Sequence, residues 1–239
     1  MAKGARTSPG EVLRSLAFYA VFYGGTAVIV VVAILALVLT PRRFRPVADS
    51  WSSYHRFCMQ HLLGIRVEIQ GVLPQGKVLV AGKHESFFEA IDVPNFIVDP
   101  AAFAKVELSH IPLWSRASAA YGNISVEREE GAKALRAMLA AAKQRVAEGR
   151  TLVIFPEGSR VPHGTTPPLQ SGFAGLYKLL NLPVVPVAVN SGPLYHRRWK
   201  RSGVITILIG DPIPAGLPRE HIEARVLAAI NALNSGEAE

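Results

Sequence analysis

The stretch VLVAGKHESFFE, residues 78–89, places an apolar run directly before a charged segment that contains one histidine. The apolar part predicts a strand, and the Ser86–Glu89 spacing matches a helix capping box. His84 would then lie where a strand ends, a position at which ligands often approach α/β sheets. Two interpretations fit this segment: His84 is a general base oriented by the carboxylate of Glu89, or Glu89 only caps a helix.

The chain from Ile65 onward alternates between strand and helix patterns. Apolar, β-branched runs typical of strands occur at 67–69, 78–81, 151–155, 184–189 and 204–209. Helical patterns occupy 87–98, 131–148, 173–180 and 220–233. This alternation predicts an α/β fold with a mostly parallel or mixed sheet covered by helices.

A long apolar block precedes this α/β region. Residues 15–41 contain no charged side chain and would extend roughly 40 Å as a helix, more than the hydrocarbon thickness of a bilayer. The alternatives are a buried core helix and a secretory signal, but a signal is shorter and ends at a small-residue cleavage site. We therefore predict a membrane-anchoring helical region over 1–64 and one globular domain over 65–239.

The sequence does not select how this anchor meets the bilayer. Basic residues flank the apolar block on both sides, so the positive-inside rule gives no orientation. Gly24-Gly25 could break the helix and let the segment dip into the bilayer and return. Residues 47–63 form a second helical pattern, and a helical pair lying partly in the interface fits as well as a clean span.

The net charge, the cysteine count and the motifs limit the classes of partner and cofactor that the chain can bind. The formal net charge is +8, and a basic chain with a membrane segment most simply meets anionic lipid headgroups. No nucleic-acid recognition motif accompanies this charge, so we expect membrane lipids and no nucleic acid as partners. The single cysteine, Cys58, excludes an internal disulfide and a cysteine-based zinc cluster. The Gly-x-Ser-x-Gly elbow, the P-loop, the dinucleotide fingerprint and metal-ligand spacings are also absent, so no metal or bound cofactor is expected.

Two more segments join a strand to an acid and an arginine. Phe155-Pro156-Glu157-Gly158-Ser159-Arg160 follows a strand pattern, and it combines a glycine, which lets a ligand approach, with an arginine suited to phosphate. The segment GNISVER, residues 122–128, is a short strand that ends in Glu127-Arg128. The plainer interpretations are a strand-to-loop turn for the first segment and a solvated ion pair for the second.

Taken together, these blocks resemble the glycerolipid acyltransferases, the family typified by the bacterial 1-acyl-sn-glycerol-3-phosphate acyltransferases. The family has four ordered blocks: H-x-x-x-x-D, an I-x-x-x-R-like segment, F-P-E-G-T/S-R and a short apolar stretch around V-P. They correspond here to residues 84–89, 124–128, 155–160 and 185–187. The likeness covers residues 78–190, and an N-terminal membrane element is also similar to the family.

The resemblance implies a role for each matching residue. His84 would deprotonate the free hydroxyl of the acceptor, and Glu89 would orient it. The acceptor's phosphate would be bound by Arg128 and by the turn of Glu157, Gly158, Ser159 and Arg160, with Lys105 as a weaker candidate. The chain departs from the family pattern at Glu89 and Glu127, where Asp is usual, and at Ser125, where a bulkier apolar residue is more frequent.

The resemblance also implies an activity and a location. Residues 65–239 would be an acyltransferase domain that moves a fatty acyl group from acyl-CoA or acyl-ACP to the free hydroxyl of 1-acyl-sn-glycerol-3-phosphate (lysophosphatidic acid), giving phosphatidic acid without a cofactor. The protein would lie at the inner, cytoplasmic membrane with its catalytic domain on the cytoplasmic side. Two alternatives stay open: an acyltransferase for another lysolipid, such as an aminoacyl lipid or a lipid-A-like acceptor, and a non-catalytic membrane module that binds anionic lipid.

Overall fold

The computed structural model describes residues 7–73, 76–105, 114–126 and 131–234, which build a seven-stranded sheet with helices on both faces. The strands are β1 (Ile65–Gln70), β2 (Leu79–Gly82), β3 (Pro100–Lys105), β4 (Ile124–Val126), β5 (Thr151–Ile154), β6 (Val184–Val189) and β7 (Gly203–Ile209). The helices are α1 (Pro9–Leu39), α2 (Pro41–Cys58), α3 (Phe87–Asp92), α4 (Trp114–Tyr121), α5 (Gly131–Ala147), α6 (Ser171–Leu180), α7 (Gly192–Tyr195) and α8 (Arg219–Ile230). A π-helical turn, Met59–Leu63, follows α2, and a 3-10 turn, Val93–Asn95, follows α3.

The sheet is mixed but mostly parallel, as the sequence predicts. Its strand order is β1-β7-β6-β2-β5-β3-β4. The β6–β7 pair is antiparallel, and every other neighbouring pair is parallel. The central strand β2 therefore runs in the same direction as β5 and β6 on either side of it, and the carboxyl ends of these three strands meet at one edge.

Alternation along each strand divides the core into two layers, because successive side chains point to opposite faces of the sheet. Val78 and Val80 of the β2 segment pack on the face covered by α1, α3 and the π-helical turn. Leu79 and Ala81 pack on the opposite face, against side chains of α5, α6 and α8. Both faces of the central strands are thus buried, which explains their continuous apolar sequence.

Helix α1 is continuous through Gly24-Gly25, so the helix break that these glycines could have made is not formed. The helix begins at a capping box in which Ser8 and Glu11 satisfy each other's backbone N–H groups. Gly25 serves close packing, since a Cβ there would lie 2.2 Å from the hydroxyl of Tyr54 on α2. That hydroxyl donates to the carbonyl of Val21 at 2.6 Å, which joins the two helices.

The two halves of α1 have different surroundings. Phe18 and Phe22 are buried in the core layer that they share with the sheet. The second half exposes Val28, Val31 and Val38, and the whole helix is long and apolar enough to cross a membrane. One helix is therefore both a packing element of the fold and a candidate membrane segment, while the boundary at residues 64 and 65 stays a prediction.

Some elements depart from the sequence prediction. Strand β3 was not predicted, because Pro100–Lys105 (PAAFAK) has no β-branched residue. Helix α3 ends at Asp92 instead of residue 98, since Pro94 has no N–H to donate to the carbonyl of Ala90. Helices α4 and α7 were also missed, whereas α5, α6 and α8 occupy nearly the predicted ranges.

Phe18→Ala should lower the free energy of unfolding by roughly 3–5 kcal/mol, because it removes a buried ring and leaves a cavity. Val28→Ala removes apolar atoms from an exposed position of the same helix, so its effect should stay within about 0.5 kcal/mol. Thermal unfolding of the detergent-solubilised full chain measures both. Equal midpoints for the two variants would show that α1 is not part of the folded core.

Candidate active site

The carboxyl ends of β2 and β5 bring two of the predicted blocks together. Ala81 pairs with Ile154, so His84 and Glu157 follow their strands at equal distances along the chain. The backbone N–H of His84 donates to Oε2 of Glu157 at 2.9 Å. In return, the N–H of Val161 donates to the carbonyl of His84 at 2.8 Å. The backbone of His84 is therefore fixed on both sides by the loop that follows β5.

The imidazole of His84 is held between a carboxylate and an aromatic ring. Its Nδ1 lies 3.5 Å from Oε2 of Glu89, and its ring stacks on Phe155 with 4.5 Å between the ring centroids. A carboxylate next to Nδ1 favours a proton on that nitrogen, which leaves Nε2 as the proton acceptor. Catalytic hydrogen bonds are often long before substrate binds, so this spacing suits a general base that is oriented by an acid.

Glu89 is also the capping residue of α3. Its Oε2 accepts a hydrogen bond from the N–H of Ser86 at 2.9 Å, and the N–H of Phe88 donates to Oγ of Ser86 at 3.0 Å. The hydroxyl of Ser191, just after β6, donates to the other carboxylate oxygen. The geometry thus contains both arrangements that the sequence left open, because one carboxylate caps the helix and faces His84.

A buried ion pair lies beneath the histidine. Nζ of Lys83 is 2.8 Å from Oε1 of Glu157, and both side chains are fully buried. Lys83 also donates to the carbonyl of Thr165 at 3.0 Å and to the side chain of Asn231, just after α8, at 2.6 Å. Because Glu157 binds Lys83 with one oxygen and the N–H of His84 with the other, the pair connects the two loops to the C-terminal helix.

The residues predicted to bind phosphate divide into two groups. Gly158 has a φ of +72°, which glycine adopts without strain, and the turn that it forms leaves Ser159 and Arg160 exposed beside His84. Arg160 lies over the ring of Phe87, 4.0 Å from its centroid. Glu157 points inward instead, so its part in phosphate binding is limited to holding this turn.

Lys105 lies at the same edge of the sheet, at the carboxyl end of β3. Its partner in β4 is Val126, and its side chain is exposed. Arg128 lies outside the described residues. The structure therefore gathers His84, Glu89 and the Arg160 turn, and it places Lys105 two strands away from β2 along the same edge.

Comparisons with known proteins agree with this arrangement. The sequence profile described as "Acyltransferase" matches residues 64–190, more than half of the chain. The chain belongs to the acyltransferase family. This confirms the resemblance drawn from the four sequence blocks.

Named relatives match over most of this acyltransferase. It is 28% identical over 233 residues to the 1-acyl-sn-glycerol-3-phosphate acyltransferase of Pseudomonas aeruginosa, covering 94% of this chain and 87% of the relative. It is 26% identical to the human 1-acyl-sn-glycerol-3-phosphate acyltransferase alpha, covering 87% of this chain and 76% of the relative. The crystal structure of the 1-acyl-sn-glycerophosphate (LPA) acyltransferase PlsC from Thermotoga maritima superposes with a TM-score of 0.67, at 20% identity over 96% of this chain and 98% of that one. The last match shows that the two share a fold.

The sequence interpretation missed several residues of the candidate site. Ser191 had no motif to signal it, and Lys83 was seen only as a neighbour of His84. A second pair was also missed: Glu85 is buried and lies 2.8 Å from Nδ1 of His163. Burial raises the pKa of Glu85, while the N–H of Gly192 and His163 favour its charged form. Each of these contacts joins residues that are distant in sequence, so no local sequence pattern could have predicted it.

Glu89→Gln should lower turnover at least about a hundredfold, because the amide no longer stabilises a protonated His84. The amide oxygen can still cap α3, so the free energy of unfolding should change by about 1 kcal/mol. Glu89→Asp, which keeps the charge, should retain partial activity. Turnover and thermal midpoint are measured on the same preparations. Full activity of Glu89→Gln would show that Glu89 is only a helix cap.

Proposed function

We propose that this acyltransferase moves a fatty acyl group from an acyl thioester to the free hydroxyl of 1-acyl-sn-glycerol-3-phosphate, giving phosphatidic acid. The observation that carries the proposal is the His84–Glu89 pair beside an exposed arginine turn at one edge of the sheet. The names of the relatives that match most of the chain support the acceptor.

The chemistry needs one base and no acylated residue. Nε2 of His84 accepts the hydroxyl proton as the acceptor oxygen attacks the thioester carbonyl carbon. A carbon–oxygen bond forms, the carbon–sulfur bond breaks, and His84 returns the proton to the departing thiolate. Glu89 stabilises the imidazolium in between. The sole cysteine, Cys58, is fully buried in the core, so it is not a nucleophile for this transfer.

Binding of the acceptor falls to the exposed cations at this edge. Arg160 offers a planar fork for the phosphate, and its position over Phe87 limits where that fork can lie. Lys105 and Arg128 complete the proposed phosphate site with Gly158 and Ser159. The fatty acyl donor is acyl-CoA or acyl-ACP, and the thioester is already activated, so we propose that no cofactor is required.

We further propose that the protein acts at the inner membrane, with the domain of residues 65–239 on the cytoplasmic side. The exposed apolar half of α1 supports membrane attachment. The acceptor is itself a membrane lipid, whereas both candidate donors are water-soluble. A domain at the cytoplasmic surface would therefore reach both substrates.

The proposal is tested by supplying purified full-length protein with acyl-CoA or acyl-ACP and a panel of lysolipid acceptors, with product mass as the readout. We expect lysophosphatidic acid to be the preferred acceptor and His84→Ala to lose about 10²–10⁴ in rate. A preference for an acceptor without a phosphate monoester would refute the proposal that the acceptor is lysophosphatidic acid. More than a tenth of wild-type turnover in His84→Ala would refute the mechanism.

Arg160→Gln should raise the KM for lysophosphatidic acid by roughly tenfold or more, because a charge-assisted contact to phosphate is lost. The KM for the thioester should change little. Lys178→Gln is the matched control, since it removes one exposed positive charge from α6, on another part of the surface. An unchanged acceptor KM in Arg160→Gln would remove this residue from the phosphate site.

A further inference from the structure

A second cationic region lies next to the candidate active site. It is a cavity of about 580 Å³ between the first half of α1 and the segment that follows α7. Its basic lining residues are Arg160, His196, Arg197, Arg198 and Lys200. Arg160 therefore belongs both to this cavity and to the turn bonded to His84, so the two regions are continuous.

The cavity exists because α1 is fixed to the segment after α7. The hydroxyl of Tyr19 donates to the carbonyl of Arg198 at 2.5 Å, and the N–H of Lys200 donates to Oγ of Ser15 at 2.8 Å. One turn earlier, Glu11 lies 3.2 Å from Nε of Arg201. These contacts hold a candidate membrane helix against a basic loop with space between them.

The charges that line this space are not balanced within the described part of the chain. None of the lining residues is acidic. Lys200 is 8% exposed, and its ammonium group contacts the carbonyl of Tyr195 at 2.8 Å and the ring of the same residue, with no carboxylate partner among the described residues. Burial lowers its pKa to about 8. Nε of Arg197 is also buried without a hydrogen-bond partner in the described structure. A buried cation without an anionic partner is costly, and a bound anion would offset that cost.

The remaining walls suit hydrocarbon. They are formed by aromatic side chains of α1 and α2, among them Phe18, Phe22 and Trp51, and by Phe87 of α3. The same α1 continues into the exposed apolar half that is the candidate membrane segment. A ligand that matches both walls carries a phosphate and an alkyl chain, and a lipid can reach such a cavity sideways from a bilayer.

We propose that this cavity is the entry site through which the phosphorylated lysolipid acceptor passes from the membrane to His84. This inference rests on the proposed function. Arg198 and Lys200 bind the phosphate first, the alkyl chain lies along the aromatic wall of α1, and Arg160 then receives the phosphate at the active-site end. Acidic phospholipids of the bilayer also carry a phosphate and alkyl chains. The test must therefore distinguish binding of the lysolipid acceptor from binding of a bilayer phospholipid.

The test compares full-length wild type, Arg198→Gln, Lys200→Gln, the double variant and the control Lys178→Gln. Binding of labelled lysophosphatidic acid is measured in neutral phosphatidylcholine vesicles, apart from turnover, and KM is measured for both substrates. We expect the Kd and KM for lysophosphatidic acid to rise roughly tenfold or more in the double variant. Turnover at saturation and the donor KM should stay within about twofold, as should all values for the control. Lys200→Gln can keep its hydrogen bond to Tyr195, and the exposed Arg198 provides an independent variant if Lys200→Gln fails to fold.

Three results would overturn the inference. A rise in the donor KM alone would assign the cavity to the thioester, and unchanged lysophosphatidic acid binding would show that the acceptor does not use it. If phosphatidylglycerol in the vesicles activates wild type but not the double variant, with unchanged lysophosphatidic acid binding, the ligand is a bilayer lipid and not the acceptor. Failure of the proposed function is recognised separately, since the wild type would then bind lysophosphatidic acid without acylating it.

Discussion

The buried ion pair between Lys83 and Glu157 is the contact on which the geometry of the candidate site depends. It lies between the carboxyl ends of two parallel strands, where both side chains are removed from water. Taking two charges out of water costs several kcal/mol per ion, and the attraction between them offsets this only when further hydrogen bonds are present. Those bonds come from the N–H of His84 to Glu157, and from Lys83 to Thr165 and Asn231.

Such an ion pair contributes more to the positioning of the His84 loop than to the free energy of unfolding. A well-packed apolar pair would be about as stable, whereas removing one partner leaves an unpaired buried charge that costs about 3–5 kcal/mol. Directional hydrogen bonds fix the position of the loop that contains His84, which apolar packing alone would not do. Each oxygen of Glu157 has a different partner in that loop. The imidazole of His84, the proposed general base, is thus presented by a backbone that is already fixed before substrate arrives, which lowers the entropy lost on reaching the reactive geometry.

Sequence reasoning recovered what local patterns encode. The strands with β-branched runs, the capping box at Ser86 and the carboxyl-end position of His84 are all fixed by residues close together in the chain. It missed β3, whose alanines carry no strand signal. It also missed the inward direction of Glu157, because its partner Lys83 follows β2, the strand next to β5 in the sheet but distant in sequence. Ser191, His163 and the cavity beside α1 depend on contacts between residues 78 to 185 positions apart. No spacing rule reports contacts of that range, since they are set by the order of strands in the sheet.

The position of α1 links these features to the membrane. In the proposed reaction, the lysolipid acceptor keeps its hydrocarbon in the bilayer while its hydroxyl reaches Nε2 of His84, and this requires a constant height of the site above the bilayer. A flexible tether would leave that height variable. Here Phe18 and Phe22 are buried in the same core layer as the central strands, and Ser15 is bonded to the segment after α7. The helix with the exposed apolar surface is therefore rigidly connected to the sheet whose edge holds His84. That rigidity is what the proposed path requires, because one helix would then act both as the anchor and as a wall of the route from the membrane to the reacting atoms.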